Sequence, residues 1–180
     1  MATTIKETEA VPSAHPDLPD GLSDAAALVN SYAIWQRIES YCRVRWTART
    51  VTWVVEGPGD WQPPLSPATV STVEIWDTDD GWGATSPGAS PMGGFSFDGC
   101  GPYQVTADVG GGDVPAAVSE AYRRLAEYLA DEPDRAGVSS YSVNMGGAIE
   151  ESYQRSPTWS ARALELSGAA DLLRPYKRRA

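Results

Sequence analysis

Histidine occurs once in this chain, at position 15, and cysteine twice, at Cys42 and Cys100. That scarcity excludes much chemistry. A zinc site needs several nitrogen or sulfur ligands at short spacings, and one histidine with two distant cysteines supplies none. A Ser-His-Asp or Cys-His unit would have to use His15, which lies between Ala14 and Pro16 in a polar stretch that reads as unfolded. Two cysteines make no disulfide framework, and their number points to a reducing compartment. No apolar run approaches the roughly 18–20 residues of a membrane span, so no membrane partner is expected. The opening MATTIKETEAVPSAHPDLPD is polar and broken by proline, unlike a signal peptide.

Positive charge is also sparse. Lys and Arg number 14 against 24 Asp and Glu, a formal net charge of −10. This argues against a protein that grips phosphate backbones. Four of the basic residues, Arg174, Lys177, Arg178 and Arg179, fall in the last seven positions, which hold no acid. The chain is therefore an acidic body with a basic end. A solubilising terminus is the plain reading; a docking peptide is the functional one. Hydrophobic residues make up 42% of the 180, enough to bury a core, and the length fits one compact unit with tails.

Residues 1–20 show no periodicity and are expected to form a flexible arm. A helix is predicted from Ser23 or Asp24, both good N-caps. Its apolar stripe is Leu28, Tyr32, Trp35, Ile38 and Cys42, spaced four, three, three and four apart. Cys42 on this stripe reads as a core residue. TARTVTWVVE at 47–56 is rich in β-branched and aromatic residues and predicts a strand. After the irregular GPGDWQPPLSP, Val73, Ile75 and Asp77 alternate with Thr72, Glu74 and Trp76, and Asp80–Gly81 signals a hairpin turn. Short strands are expected at 94–97 and 103–109. A second helix is predicted at Val114, with Asp113 as cap, Pro115 in the first turn, and a face of Val118, Tyr122, Leu125 and Leu129. Glu120 and Arg124 form an i,i+4 pair. Residues 136–157 are Gly- and Ser-rich and long for a structureless loop, which favours an interaction role. A last helix is expected from Ser156–Pro157, with a stripe of Trp159, Ala163, Leu166, Ala170 and Leu173, ending at Pro175.

The resulting expectation is an α+β chain with a mainly helical core of about three helices and an inserted small antiparallel β module. The arm covers 1–20, the helical core 21–45 plus 113–173, the β module 46–112, the interface loop 136–157, and the basic tail 174–180.

Several constellations reduce to plainer readings. Asp77, Asp79 and Asp80 suggest a calcium loop, but with Asp77 first, glycine falls at the fifth position and the twelfth is Gly88, so a solvated turn is favoured. Gly110–Gly112 precedes a helix without phosphate-loop spacing, and Asp113 would repel phosphate there. Trp46, Trp53, Trp61, Trp76 and Trp82 lie in or beside the β module. Core or protein interface is the favoured reading over a sugar platform. No metal, cofactor or catalytic residue is expected, and the chain does not read as an enzyme.

The order of these parts resembles the head–tail connector, or adaptor, family of long-tailed bacteriophages and gene transfer agents. The resemblance rests on IESYCRVRWTARTVTWVV followed by QPPLSP and VSTVEIWDTDDGW, on DVPAAVSEAYRRLAEYLADE, on SSYSVNMGGAIEESY, and on the close LELSGAADLLRPYKRR. Together these cover most of residues 22–180. The resemblance implies a structural virion protein at the head–tail junction, present in the host cytoplasm before assembly. It implies a ring of neighbouring copies, commonly twelvefold, on the portal protein. That ring extends the DNA channel, with passing DNA contact, and meets the next connector (stopper) ring or tail protein. Carried over, Arg174, Tyr176, Lys177, Arg178 and Arg179 become the portal-docking peptide. Val138, Tyr141, Met145, Ile149 and Tyr153 would lie at a ring or portal interface. The alternative is a Trp-rich carbohydrate- or receptor-binding β module, which requires exposed tryptophans.

Overall fold

Val51, Trp53 and Val55 are buried while the residues between them are not, the period of two that a sheet with one covered face imposes. The computed structural model describes residues 1–131, 140–145, 149–154 and 160–178. In chain order these hold β1 (Thr3–Glu9), α1 (Asp24–Ala27), α2 (Ser31–Cys42), β2 (Arg49–Glu56), β3 (Gly59–Trp61), β4 (Ala68–Asp77), β5 (Gly81–Ala84), β6 (Gly88–Ala89), β7 (Phe95–Phe97) and β8 (Tyr103–Val109). Then come α3 (Ala116–Ala130), β9 (Ser140–Met145), β10 (Ile149–Gln154), α4 (Ala163–Leu166), α5 (Ala169–Leu173) and a 3₁₀ turn at Arg174–Tyr176.

The expectation of a mainly helical core is overturned. The described residues form mostly antiparallel sheets, in orders β1-β2-β8-β4-β5, β3-β7-β6 and β9-β10, with a few mostly short helices. Two compact units divide the chain. One takes Met1–Pro16, Glu39–Asp113 and the described part of Lys177–Ala180; the other takes Asp17–Ile38 and the described part of Val114–Tyr176.

In the first unit, β2 and β8 are central strands. Val51 lies opposite Ala107, Trp53 opposite Val105 and Val55 opposite Tyr103, all buried. Val70, Val73 and Ile75 of β4 pack on the same core, Val73 and Ile75 in the alternation read from the sequence. Trp61 and Phe97 join it from the three-stranded sheet, with Trp53 and Trp61 edge to face at 5.6 Å and Phe97 stacked on Tyr103 at 4.2 Å. Burying such aromatics supplies much of the driving force in a unit this small. Asp77 pairs with Gly81, so β4 and β5 close around Thr78–Asp80, and Gly81 takes the left-handed backbone (φ 81°) that this turn requires. Gly110 has φ 93°, donates to the Pro67 carbonyl at 2.9 Å, and sits where a Cβ would collide with the Thr47 carbonyl.

The stretch expected to be an arm contains β1, which pairs antiparallel along β2. Its residues are mostly exposed, so it has no hydrophobic period to read. Anchors from β2 and the loop before it fix it instead: Trp53 Nε1 donates to Glu7 at 2.7 Å and Arg45 forks onto Glu9 at 2.6 and 2.9 Å.

In the second unit, Ser23 caps α1 as expected, its Oγ accepting from the Ala26 N–H at 3.2 Å. The same serine donates to Glu127 of α3 through both N–H and Oγ, at 2.8 and 2.7 Å. The single long helix from Ser23 to Cys42 is overturned: the chain breaks after Ala27 and restarts at Ser31. Only the later part of the stripe is core. Trp35, Ile38 and Cys42 are buried, but Leu28 is 88% and Tyr32 55% exposed. Helix α3 buries Val118, Tyr122 and Leu125 as predicted, and Tyr122 lies 5.1 Å from Trp35, ring to ring. Its N-cap is Pro115 without a side-chain bond, so Asp113 does not cap it. Glu120 takes Arg124 and also Arg123, each at 2.8 Å. Toward the C-terminus, α4 and α5 replace the expected single helix because Gly168, at φ 73°, turns the chain between them. Ser156, Pro157 and Trp159 lie outside the described residues.

Candidate functional site

The long Gly- and Ser-rich segment holds a hairpin. Tyr141 lies opposite Tyr153, Val143 opposite Glu151 and Met145 opposite Ile149. These six form one alternate set of positions along the ladder. The intervening set is Ser140, Ser142, Asn144, Glu150, Ser152 and Gln154. Four of the five expected interface positions (Tyr141, Met145, Ile149 and Tyr153) belong to the first set; Val138 lies outside the described residues. Among the described residues β9 and β10 pair with each other and with no further strand. The sequence reading found the segment but not its strands, because glycine and serine are poor strand signals.

At the C-terminus, Arg174 begins the 3₁₀ turn, is exposed, and lies 3.7 Å from Asp171. Tyr176 closes that turn and is half-buried. Lys177 and Arg178 turn onto the end of α2. The Lys177 Nζ stands 4.7 Å above the Tyr41 ring. The Arg178 N–H donates to the Cys42 carbonyl at 3.0 Å, and its guanidinium reaches the Pro63 carbonyl at 3.3 Å. Arg179 lies outside the described residues.

Sequence reasoning missed a cluster of buried charge in the first unit. Glu39 is 1% exposed, and one of its oxygens accepts from the Trp46 and Thr47 N–H groups, both at 2.8 Å. Its other oxygen pairs with Arg49. Arg49 also reaches Glu9 at 3.1 Å, and Arg45 donates to the Glu39 backbone carbonyl at 2.9 Å. Hydrogen bonding from Arg45 holds the Glu9 carboxyl below its ordinary range, although burial opposes this. His15 is not in an unfolded arm: its Nδ1 lies 3.1 Å from the Thr47 hydroxyl, and burial lowers its pKa. The set is internally paired, which suits a structural joint better than a reactive centre. Burial also pushes the Cys42 thiol up to about 12, with nearby Lys177 opposing, so this cysteine is a neutral core residue.

Other features are modest. An open cleft of about 450 Å³ is lined in part by Asp17, Asp20, Glu120 and Arg123. Trp46, Trp53 and Trp61 are buried, whereas Trp76 is 44% exposed and meets half-buried Trp82 edge to face at 5.2 Å. Among the described residues no group of three or more His, Cys, Asp or Glu could hold a metal, and no helix is long and apolar enough to cross a membrane. Compared with known proteins, the chain matches no family model, no curated protein and no solved structure.

Proposed function

We propose that this chain is a head-to-tail adaptor, a structural virion protein that assembles as a ring on the portal, extends the DNA channel, and joins the head to a stopper ring or tail. The observation that carries the reading is the hairpin. A two-stranded ribbon is marginal alone in water, and each outer edge offers unpaired backbone groups. Here one alternate set of ladder positions holds Tyr141, Val143, Met145, Ile149 and Tyr153, interrupted only by Glu151. Such a ribbon gains stability by meeting another chain, which is what a ring or portal contact provides.

Two further features support it. Strands β2 to β8 lie between α2 and α3 in the chain, an order the adaptor resemblance implies. The basic C-terminal residues on an acidic chain suit docking to an acidic partner surface. The test is capture by the portal protein encoded in the same genome. Removing residues 174–180, or changing Met145 and Ile149 together to serine, is expected to abolish capture while the thermal unfolding transition is retained. Undiminished capture by both variants would refute the reading.

A second reading keeps one observation of its own. Trp76 and Trp82 form a partly exposed aromatic pair on the strand face that also carries Glu74 and Gln104, a combination that can stack and hydrogen-bond a sugar. Glycan titration of wild type against Trp76→Ala tests it, and an identical null response in both removes it.

A further inference from the structure

The last four carbonyls of a helix lack intrahelical partners and carry the negative end of its dipole. In α2, Arg43 follows the last helical residue with φ 56°, which turns the chain away, and its N–H bonds the Glu39 carbonyl at 2.9 Å. The Cys42 carbonyl is taken instead by the Arg178 N–H, from the far end of the sequence. Lys177 adds its charge above the ring of Tyr41 in the same final turn, and Arg178 extends to the Pro63 carbonyl in the proline-rich link. The helix end thus seats two consecutive basic residues, with a π face for the Lys177 ammonium, one carbonyl for the Arg178 backbone N–H and a second for its guanidinium.

We propose that Lys177 and Arg178 act as a cis latch, seated on Tyr41, the Cys42 carbonyl and the Pro63 carbonyl, and that they must leave this seat before the C-terminal segment can dock on a partner. The partner half of this inference rests on the adaptor reading, since the latched residues belong to the segment assigned there to the portal. The contacts are of a kind that opens readily. Lys177 stays exposed, Arg178 is half-buried, and neither places an apolar side chain in the core. Water can replace each contact, so the segment opens locally without unfolding the sheet. Docking is then a competition: the apparent affinity for a partner is lowered by the fraction of molecules that remain latched.

The test uses the full chain. Trypsin cleavage after Lys177 and Arg178 reports the open population when reclosing is fast. Tyr41→Leu removes the π face and is expected to speed this cleavage about two- to fivefold, while Tyr41→Phe, which keeps the face, cleaves as wild type does. Because Tyr41→Leu touches a half-buried position, amide exchange of wild type supplies a second measurement. The Arg178 N–H is expected to exchange at least about tenfold more slowly than an unstructured peptide. Equal cleavage in all three forms, or unprotected exchange at Arg178, would overturn the latch. With the portal protein of the same genome as probe, Tyr41→Leu is expected to bind more tightly by the factor seen in cleavage. Tight binding by wild type with no gain in Tyr41→Leu overturns the competition. Binding by no form, with the cleavage difference intact, overturns the adaptor reading instead and leaves the latch as a contact within the chain.

Discussion

Glu39 pairs with Arg49 where both side chains are almost fully withdrawn from water, at 1% and 7% exposure. Removing two charges from solvent costs several kcal/mol per ion unless every lone pair is answered. Here the second Glu39 oxygen takes two backbone N–H groups, and Arg49 donates also to Glu9 and the Thr47 carbonyl. The pair ties the last turn of α2 to the start of β2, and through Glu9 it holds β1.

Breaking this pair on one side leaves a buried charge unanswered. Glu39→Ala is expected to lower the unfolding free energy by about 3–5 kcal/mol. Arg49→Ala should cost a similar amount, and the double variant less than the sum. Urea unfolding followed by circular dichroism checks this; a loss under about 1 kcal/mol for either single variant contradicts it.

Acid should loosen β1 through Glu9. A carboxylate whose folded pKa is depressed contributes stability that is complete above its unfolded pKa, here 4.5, and lost as pH falls through the folded value. Wild type should therefore exceed Glu9→Gln in stability at about pH 6, with the gap closing as the medium drops below about pH 4. A gap that is constant or widens on acidification contradicts the assignment.

The two thiols should differ sharply. Cys100 is exposed, whereas Cys42 is buried with its pKa near 12. At about pH 8 a disulfide reagent should label one cysteine per native chain, and two after denaturation. Cys100→Ser should leave no fast thiol. Rapid labelling of that variant would place Cys42 outside the core.

Tryptophan accessibility should be concentrated in one place on the β unit. Trp35, Trp46, Trp53 and Trp61 are buried, and Trp76 is the exposed member of the pair with Trp82. Trp76→Phe should reduce acrylamide quenching, whereas Trp53→Phe should lower stability and leave the quenchable emission in place. The reverse pattern contradicts the orientation of β4.

The legible parts of the fold were those whose burial writes a period into the sequence. The β-branched and aromatic run TARTVTWVVE announced β2, whose period of two the burial of Val51, Trp53 and Val55 then revealed, and the spacing of Val118, Tyr122 and Leu125 announced α3. The β4–β5 turn was legible from Asp80–Gly81 because the backbone there needs a residue that tolerates positive φ. β1 was not legible: an edge strand held by Glu7, Glu9 and backbone pairing has no apolar alternation. The overestimate of helix arose where a stripe was continued through chain breaks, at Leu28 before α2 and at Gly168 between α4 and α5. Glu39 reads as a surface acid on its helix, since nothing local announces that Arg49 and two loop amides will meet it. For the candidate interface, Tyr141, Met145, Ile149 and Tyr153 were singled out as residues, but their places opposite one another needed the strand register.

The most direct test of the adaptor account is co-expression with the portal protein of the same genome, followed by native mass measurement of the purified complex. The account predicts a portal ring carrying a matching number of these chains, lost on removal of residues 174–180. An intact portal ring that carries none of the full-length chain would contradict it.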